Sequence, residues 1–149
     1  MSDIRTLAQF SVFLINKPGV LAQVTGALAD EKLNVIAMTL VDSQEHGVLR
    51  LVPEDADAAR AVLSRLALPM TETEVLCLEL SNRPGALADI ATVLGQNHIN
   101  INYAYCTSGA PGGHTTGIFK VADPKKAQHV LKDSNAKHKE SNIRPGARH

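Results

Sequence analysis

Asn16-Lys17-Pro18-Gly19-Val20-Leu21-Ala22 returns as Asn82-Arg83-Pro84-Gly85-Ala86-Leu87-Ala88, at an offset of 66 residues. The same offset carries Leu33-Asn34-Val35 onto Ile99-Asn100-Ile101. A period this long describes two small domains of one fold, because solenoid units are shorter and more numerous. Ahead of the quoted stretch, residues 8–15 read as a strand. Phe10, Val12 and Leu14 fall on one face; Ser11, Phe13 and Ile15 fall on the other. Behind it, Leu21, Val24 and Leu28 recur at helical spacing, which predicts a helix over 19–31. Pro18 cannot continue a central strand but suits the first turn of a helix.

Working outward, residues 34–41 predict a second strand and Asp42–Gly47 a polar hairpin turn. Val48–Val52 is a third strand, stopped by Pro53. Residues 55–66 carry Ala59, Val62, Leu63 and Leu66 on one helical stripe, and an extended piece follows near 70–73. The second copy repeats this order. It has a strand over 74–81, a helix holding Leu87, Ile90 and Leu94, and a strand from Ile99 to Cys106. A longer glycine-rich hairpin, a strand from Thr116 to Val121, and a helix from Asp123 to near Lys132 complete it.

The βαββαβ order, met twice, predicts an α+β chain of two tandem ferredoxin-like sandwiches, with antiparallel sheets and helices on one face. The expected domains are 6–73 and 74–132. Residues 133–149 hold one large aliphatic side chain, Ile143, so the second copy lacks a closing strand. That basic stretch is expected as a weak edge strand or as disorder. On the helix-free face of the first sheet we expect Phe13, Ile15, Ile36, Met38 and Leu40. An open apolar face seldom stays bare, so it is expected to pack on the other half or on a second chain, as in a homodimer.

Composition narrows the function. The chain has 149 residues, 15 basic and 15 acidic, and a formal net charge of zero. No global field favours nucleic acid or a membrane surface. Apolar residues make up 44%, with no tryptophan, so the core must be aliphatic. Cys77 and Cys106 match neither a disulfide framework nor a zinc spacing, which fits a reducing cytoplasm. No run approaches the length of a membrane span, and no signal-peptide pattern is present.

The repeated turn sits at a helix N-terminus. There the first backbone N–H groups lack internal partners and carry partial positive charge, so a carboxylate or phosphate can bind. Gly19 and Gly85 let a ligand approach the backbone closely. Lys17 and Arg83 add a cation. Asn16 and Asn82 both donate and accept hydrogen bonds. The same residues also make a sound strand-to-helix turn with no ligand at all.

With these motifs in their βαββαβ setting, residues 6–132 resemble the ACT-domain family, in particular proteins made only of two tandem ACT domains. The resemblance rests on Asn16-Lys17-Pro18-Gly19-Val20-Leu21 with Asn34-Val35-Ile36, and on Asn82-Arg83-Pro84-Gly85-Ala86-Leu87 with Asn100-Ile101-Asn102. It implies binding of a free amino acid, and regulation rather than catalysis. It also implies ligands between two ACT domains, with the Pro-Gly turn of one facing the second strand of the other. Asn16 and Gly19–Leu21 would then pair with Asn100, Ile101 and Asn102. Asn82 and Gly85–Leu87 would pair with Asn34, Val35 and Ile36. A homodimer would change the pairing but not the residues. A second reading of the resemblance is a ligand-free subunit that docks on a metabolic enzyme, like the small subunits of acetohydroxyacid synthase or a glycine-cleavage-type repressor.

Lys32 and His98 stand where the family often has glycine after the first helix, which implies strain or a different cap. Tyr103 and Tyr105 are expected to pack on the helices with their hydroxyls at the rim. His114 reads as a solvated loop histidine. No nucleophile elbow, phosphate loop or metal spacing appears, so no enzyme, cofactor or metal is expected.

Overall fold

The computed structural model describes residues 4–15, 17–42, 46–107 and 113–143, and within them the side chains of Asp42 and of residues 136–143 are not described. Asn16 and parts of both hairpins lie outside the described residues. In chain order the elements are β1 (Ile4–Ile15), α1 (Val20–Asp30), β2 (Val35–Asp42), β3 (His46–Pro53) and α2 (Ala56–Arg65). There follow β4 (Met70–Leu80), α3 (Ala86–Gln96), β5 (Ile101–Thr107), β6 (Thr115–Val121) and α4 (Pro124–Ile143). The extended piece near 70–73 and the strand after it are one strand, β4.

Two compact units form. The first is Leu7–Glu74; the second joins the residues up to Thr6 with those from Val75 onward. In the first unit the strand order is β2-β3-β1-β4. Phe10, Val12 and Leu14 pack with Leu49 and Leu51 beneath Val24, Leu28, Val62 and Leu63 of the two helices. Asp55 caps α2 by accepting a hydrogen bond from the Ala58 N–H at 3.1 Å. The guanidinium of Arg60 stands 5.8 Å from the centre of the Phe10 ring. Its Nε donates to Glu72 Oε2 at 2.8 Å, which ties α2 to β4.

The second unit has the order β1-β4-β6-β5. Leu76, Leu78 and Leu80 pack with Phe119 and Val121 beneath Ile90, Leu94, Ala127 and Leu131. The fourth strand of this half comes from residues ahead of the first half. Ile4 is 7% exposed and belongs to this core. Gln128 Nε2 of α4 donates to the Ile4 carbonyl at 3.2 Å. Residues 133–143, expected as a weak edge strand or as disorder, instead continue α4. Asp123 Oδ1 caps that helix by accepting from the Lys126 N–H at 3.1 Å. No glycine or proline follows Pro124 until Pro145, so nothing in the backbone chemistry stops the helix at Lys132.

The register corrects two expectations about faces. Directly opposed residues of an antiparallel pair share a face. Met38 stands opposite Leu51 and Leu40 opposite Leu49, so both lie on the helix face, not with Phe13 and Ile15. Ile36 sits in a bulge between Val35 and Ala37. β2 is apolar at nearly every position, so its alternation carries no face, and the bulge shifts the phase. The helix-free side instead presents Phe13, Ile15 and Val41, all exposed. Likewise Tyr105 stands opposite Ile118, which opposes Cys77. Tyr103 stands opposite Lys120. Both tyrosines therefore lie on the face away from the helices.

Helices α1 and α3 end alike. Leu33 N–H reaches the Leu28 carbonyl and Lys32 N–H the Ala29 carbonyl; Ile99 and His98 repeat this with Leu94 and Gly95. This is the Schellman pattern, in which the left-handed position usually goes to glycine. Here Lys32 has φ 55° and His98 φ 57°. The cap is the ordinary one, and the strain is real.

Candidate functional site

β1 delivers the chain to the first turn, and α1 carries it away. Gly19 is the N-cap of α1 with φ 93°, a left-handed value that a side chain tolerates poorly. Among the described residues no side chain caps α1, and its first turn holds no acidic residue. Its leading N–H groups thus keep their unpaired positive ends. A Cβ built on Gly19 meets no atom within 4 Å, so open space lies over the turn. Pro18 and Lys17 are exposed. Among the described residues Lys17 forms no ion pair.

Beside this turn lies a cavity of about 140 Å³. Leu14 and Ile15 of β1, Val20 and Leu21 of α1, and Leu40 and Val41 of β2 line it, with Gly47 of β3 and Lys17. Among the described residues every lining side chain but that of Lys17 is aliphatic. Of the expected site residues, the structure brings Lys17, Val20 and Leu21 to this cavity, with Pro18 and Gly19 between them. Leu40, Val41 and Gly47 are additions that sequence reasoning missed, since strand register alone makes them neighbours of the turn.

Asn34, Val35 and Ile36 lie at the far end of the same sheet. β2 starts opposite Pro53 and reaches the Gly47 end only at Asp42. Asn34 is exposed and donates through Nδ2 to Glu54 Oε1 at 3.1 Å. Its carbonyl accepts from the Glu54 N–H at 3.1 Å.

The second turn repeats the backbone with different chemistry. Gly85 caps α3 at φ 88°. Here the space is taken: Arg83 Nη1 lies 3.7 Å from the place of a Gly85 Cβ. Arg83 Nη2 pairs with Asp89 Oδ2 at 2.7 Å, and Nη1 donates to the Pro84 carbonyl at 3.3 Å. Asp89 lies in the first turn of α3, where its charge already answers the helix dipole. Asn82 and Pro84 are exposed, Ala86 is half-buried, and Leu87 is 52% exposed. Asn100, Ile101 and Asn102 again lie at the opposite end of their own sheet, at the bulge where β5 begins beside Val121.

Among the described residues no group of three or more His, Cys, Asp or Glu side chains could hold a metal ion. None of their helices is long and apolar enough to cross a membrane. Cys106 is exposed, and partial desolvation raises the pKa of its thiol. His114 Nδ1 is buried and has no hydrogen-bond partner among the described residues.

The same architecture occurs in solved structures. Protein BT0572 from Bacteroides thetaiotaomicron matches with a TM-score of 0.81 and 29% identity, over 90% of this chain and 92% of that one. The ligand-free regulatory subunit of aspartate kinase from Thermus thermophilus matches with a TM-score of 0.64 and 15% identity, over 89% and 97%. A structure of aspartokinase alpha and beta subunits matches with a TM-score of 0.59 and 20% identity, over 91% and 98%. No curated protein sequence matches the chain. The family model for an ACT domain pair matches residues 5–143. Nearly the whole chain is covered by that match, and the two units of four strands and two helices, with their twin Pro-Gly turns, are its physical content: this protein belongs to the ACT domain pair family.

Proposed function

We propose that this chain is a non-catalytic regulatory protein of amino-acid metabolism, which binds a free amino acid at its Pro-Gly turns and transmits that binding to a partner enzyme or to a second copy of itself. The observation that carries the reading is the first turn. A helix N-terminus and a lysine that no described side chain engages, and open space over Gly19, meet beside an apolar cavity. A carboxylate is suited to the N–H groups and the cation, and a side chain to the cavity. The likeness to a regulatory subunit of aspartate kinase supports placing such a module beside an enzyme that handles amino acids. The reading sets the protein in the cytoplasm, where free amino acids and their enzymes meet.

Thermal unfolding with each of the twenty amino acids at millimolar concentration tests it. A ligand at a hundred times its dissociation constant adds about 2.7 kcal/mol, a shift of several degrees. A raised midpoint for one amino acid, or one chemical group of them, is expected. If all twenty leave the midpoint in place, amino-acid binding fails. A docking subunit with no ligand is the second reading. Phe13, Ile15 and Val41, exposed at 37%, 58% and 44% on the helix-free face, favour it. They also supply the surface that a homodimer would use.

A further inference from the structure

We propose that the ligand of the first unit has a branched aliphatic side chain, as in valine, leucine or isoleucine, and that each chain binds one such molecule. This inference rests on the amino-acid reading above and names the ligand class for that site.

Size comes first. An apolar cavity of about 150 Å³ holds benzene, that is, six carbons. The cavity beside the first turn is about 140 Å³. Leucine or isoleucine needs room for four side-chain carbons and Cα, and valine for one carbon fewer. Phenylalanine needs eight and overfills the space. Polarity comes second. Among the described residues the walls are aliphatic but for Lys17. With Lys17 and the helix N–H groups given to the ligand's own carboxylate, a second carboxylate, an amide or an ammonium on its side chain would lose its water there and find no partner among the described residues. Threonine matches valine in shape, but its hydroxyl would also go unmet, and such a pocket rejects it by up to about 100-fold.

The second unit argues for one site per chain. At the 66-residue offset, Ile15, Leu40 and Val41 become Ser81, Cys106 and Thr107. Gly47 stands opposite Leu14, whereas Thr115 stands opposite Leu80. The position that is bare of a side chain in the first unit is filled in the second. Arg83 lies over the second turn besides.

Gly47 gives the test. A Cβ there would lie 3.6 Å from Leu40 Cδ1, an ordinary contact, with no left-handed backbone to strain. Gly47→Val therefore places two methyl groups in the cavity on a strand that accepts valine. Isothermal titration of the full chain is run with valine, leucine, isoleucine, threonine, phenylalanine, serine, aspartate and lysine. Heat from the three branched aliphatic ligands at one molecule per chain is expected. Gly47→Val should weaken them at least tenfold. The pair Leu40→Cys with Val41→Thr, which copies the second unit, should do the same should Gly47→Val fail to fold. Binding of lysine, aspartate, serine or phenylalanine in place of the aliphatic ligands would overturn the ligand class while leaving amino-acid binding in force. Aliphatic binding that survives the cavity variants, or that occurs at two per chain, would overturn the site. Silence from all eight, repeated across the remaining amino acids, would remove the functional reading itself.

Discussion

The two Pro-Gly turns share backbone and differ in chemistry. Gly19 and Gly85 hold nearly the same left-handed angle, and both begin a helix that packs on its sheet through the same spacing of apolar residues. Yet Arg83 is folded onto Asp89 and over Gly85, whereas the space above Gly19 is open. One substitution accounts for much of this: Gln23 occupies in the first copy the position that Asp89 holds in the second. Duplication preserved what the fold requires, the angle at glycine and the helix start. It did not preserve the features on which the proposed site rests, a cation without an ion pair among the described residues and an open space over the glycine. A repeat therefore counts folds, and the residues around it count sites.

The largest effect tests whether the units are separable. Ile4→Ala should cost about 2–4 kcal/mol through the cavity left in the second core. Amide exchange should show lost protection in β5, β6 and α4, with β2 and β3 unchanged. Equal loss in both would mean that the units unfold as one. Next come the turns. Gly19→Val and Gly85→Val each force a branched residue to positive φ and should destabilise by about 1–3 kcal/mol. Denaturant unfolding should find the two alike, while calorimetry should find ligand binding lost only in the first. Binding lost in the second instead would reverse the comparison.

A smaller effect of the opposite sign is expected at the helix ends. Lys32→Gly and His98→Gly each relieve a left-handed non-glycine residue and should raise stability by about 0.5–1 kcal/mol, equally in the two units. Chemical denaturation would read the gain. The smallest effect is a pH response confined to the first unit. The Arg60 hydrogen bonds hold the Glu72 carboxyl below its usual value of 4.5. A depressed carboxyl pKa contributes stability above the unfolded value, and that contribution is lost as pH falls through the folded one. Wild type and Glu72→Gln should therefore differ in unfolding midpoint at neutral pH and converge below pH 4.5. The pair is exposed, so the difference is expected to be slight.

Much of this was legible in the chain. The repeat offset, the alternation in β1 and the helical spacing in α1 and α3 are local patterns, and local patterns predict local structure. The turn residues were legible because glycine, proline and asparagine each have a particular backbone use. What escaped detection is long-range. Ile4-Arg5-Thr6 carries one large aliphatic side chain, and nothing near it in sequence marks the sheet edge that it closes. The face of β2 escaped because its apolar residues do not alternate. Leu40, Val41 and Gly47 escaped as cavity walls because only the pairing of β2, β3 and β1 brings them to the turn.

The strand that closes the second unit has a consequence for how the molecule is made. Gln128 and Ile4, joined by a hydrogen bond, are 124 residues apart in the chain. On the ribosome the closing strand is finished before β4 exists and must wait until α4 has emerged. The first unit can meanwhile fold behind it, since its contacts close earlier. Contacts of such separation slow folding, because the loop must be closed before it is rewarded. A fragment starting at Glu74 would leave β4 with an unpaired edge, the kind of surface that recruits a strand from another molecule. Supplying Ile4-Arg5-Thr6 after α4 on a short linker would turn the same unit into an independent module, with its order of synthesis and its order of assembly finally in agreement.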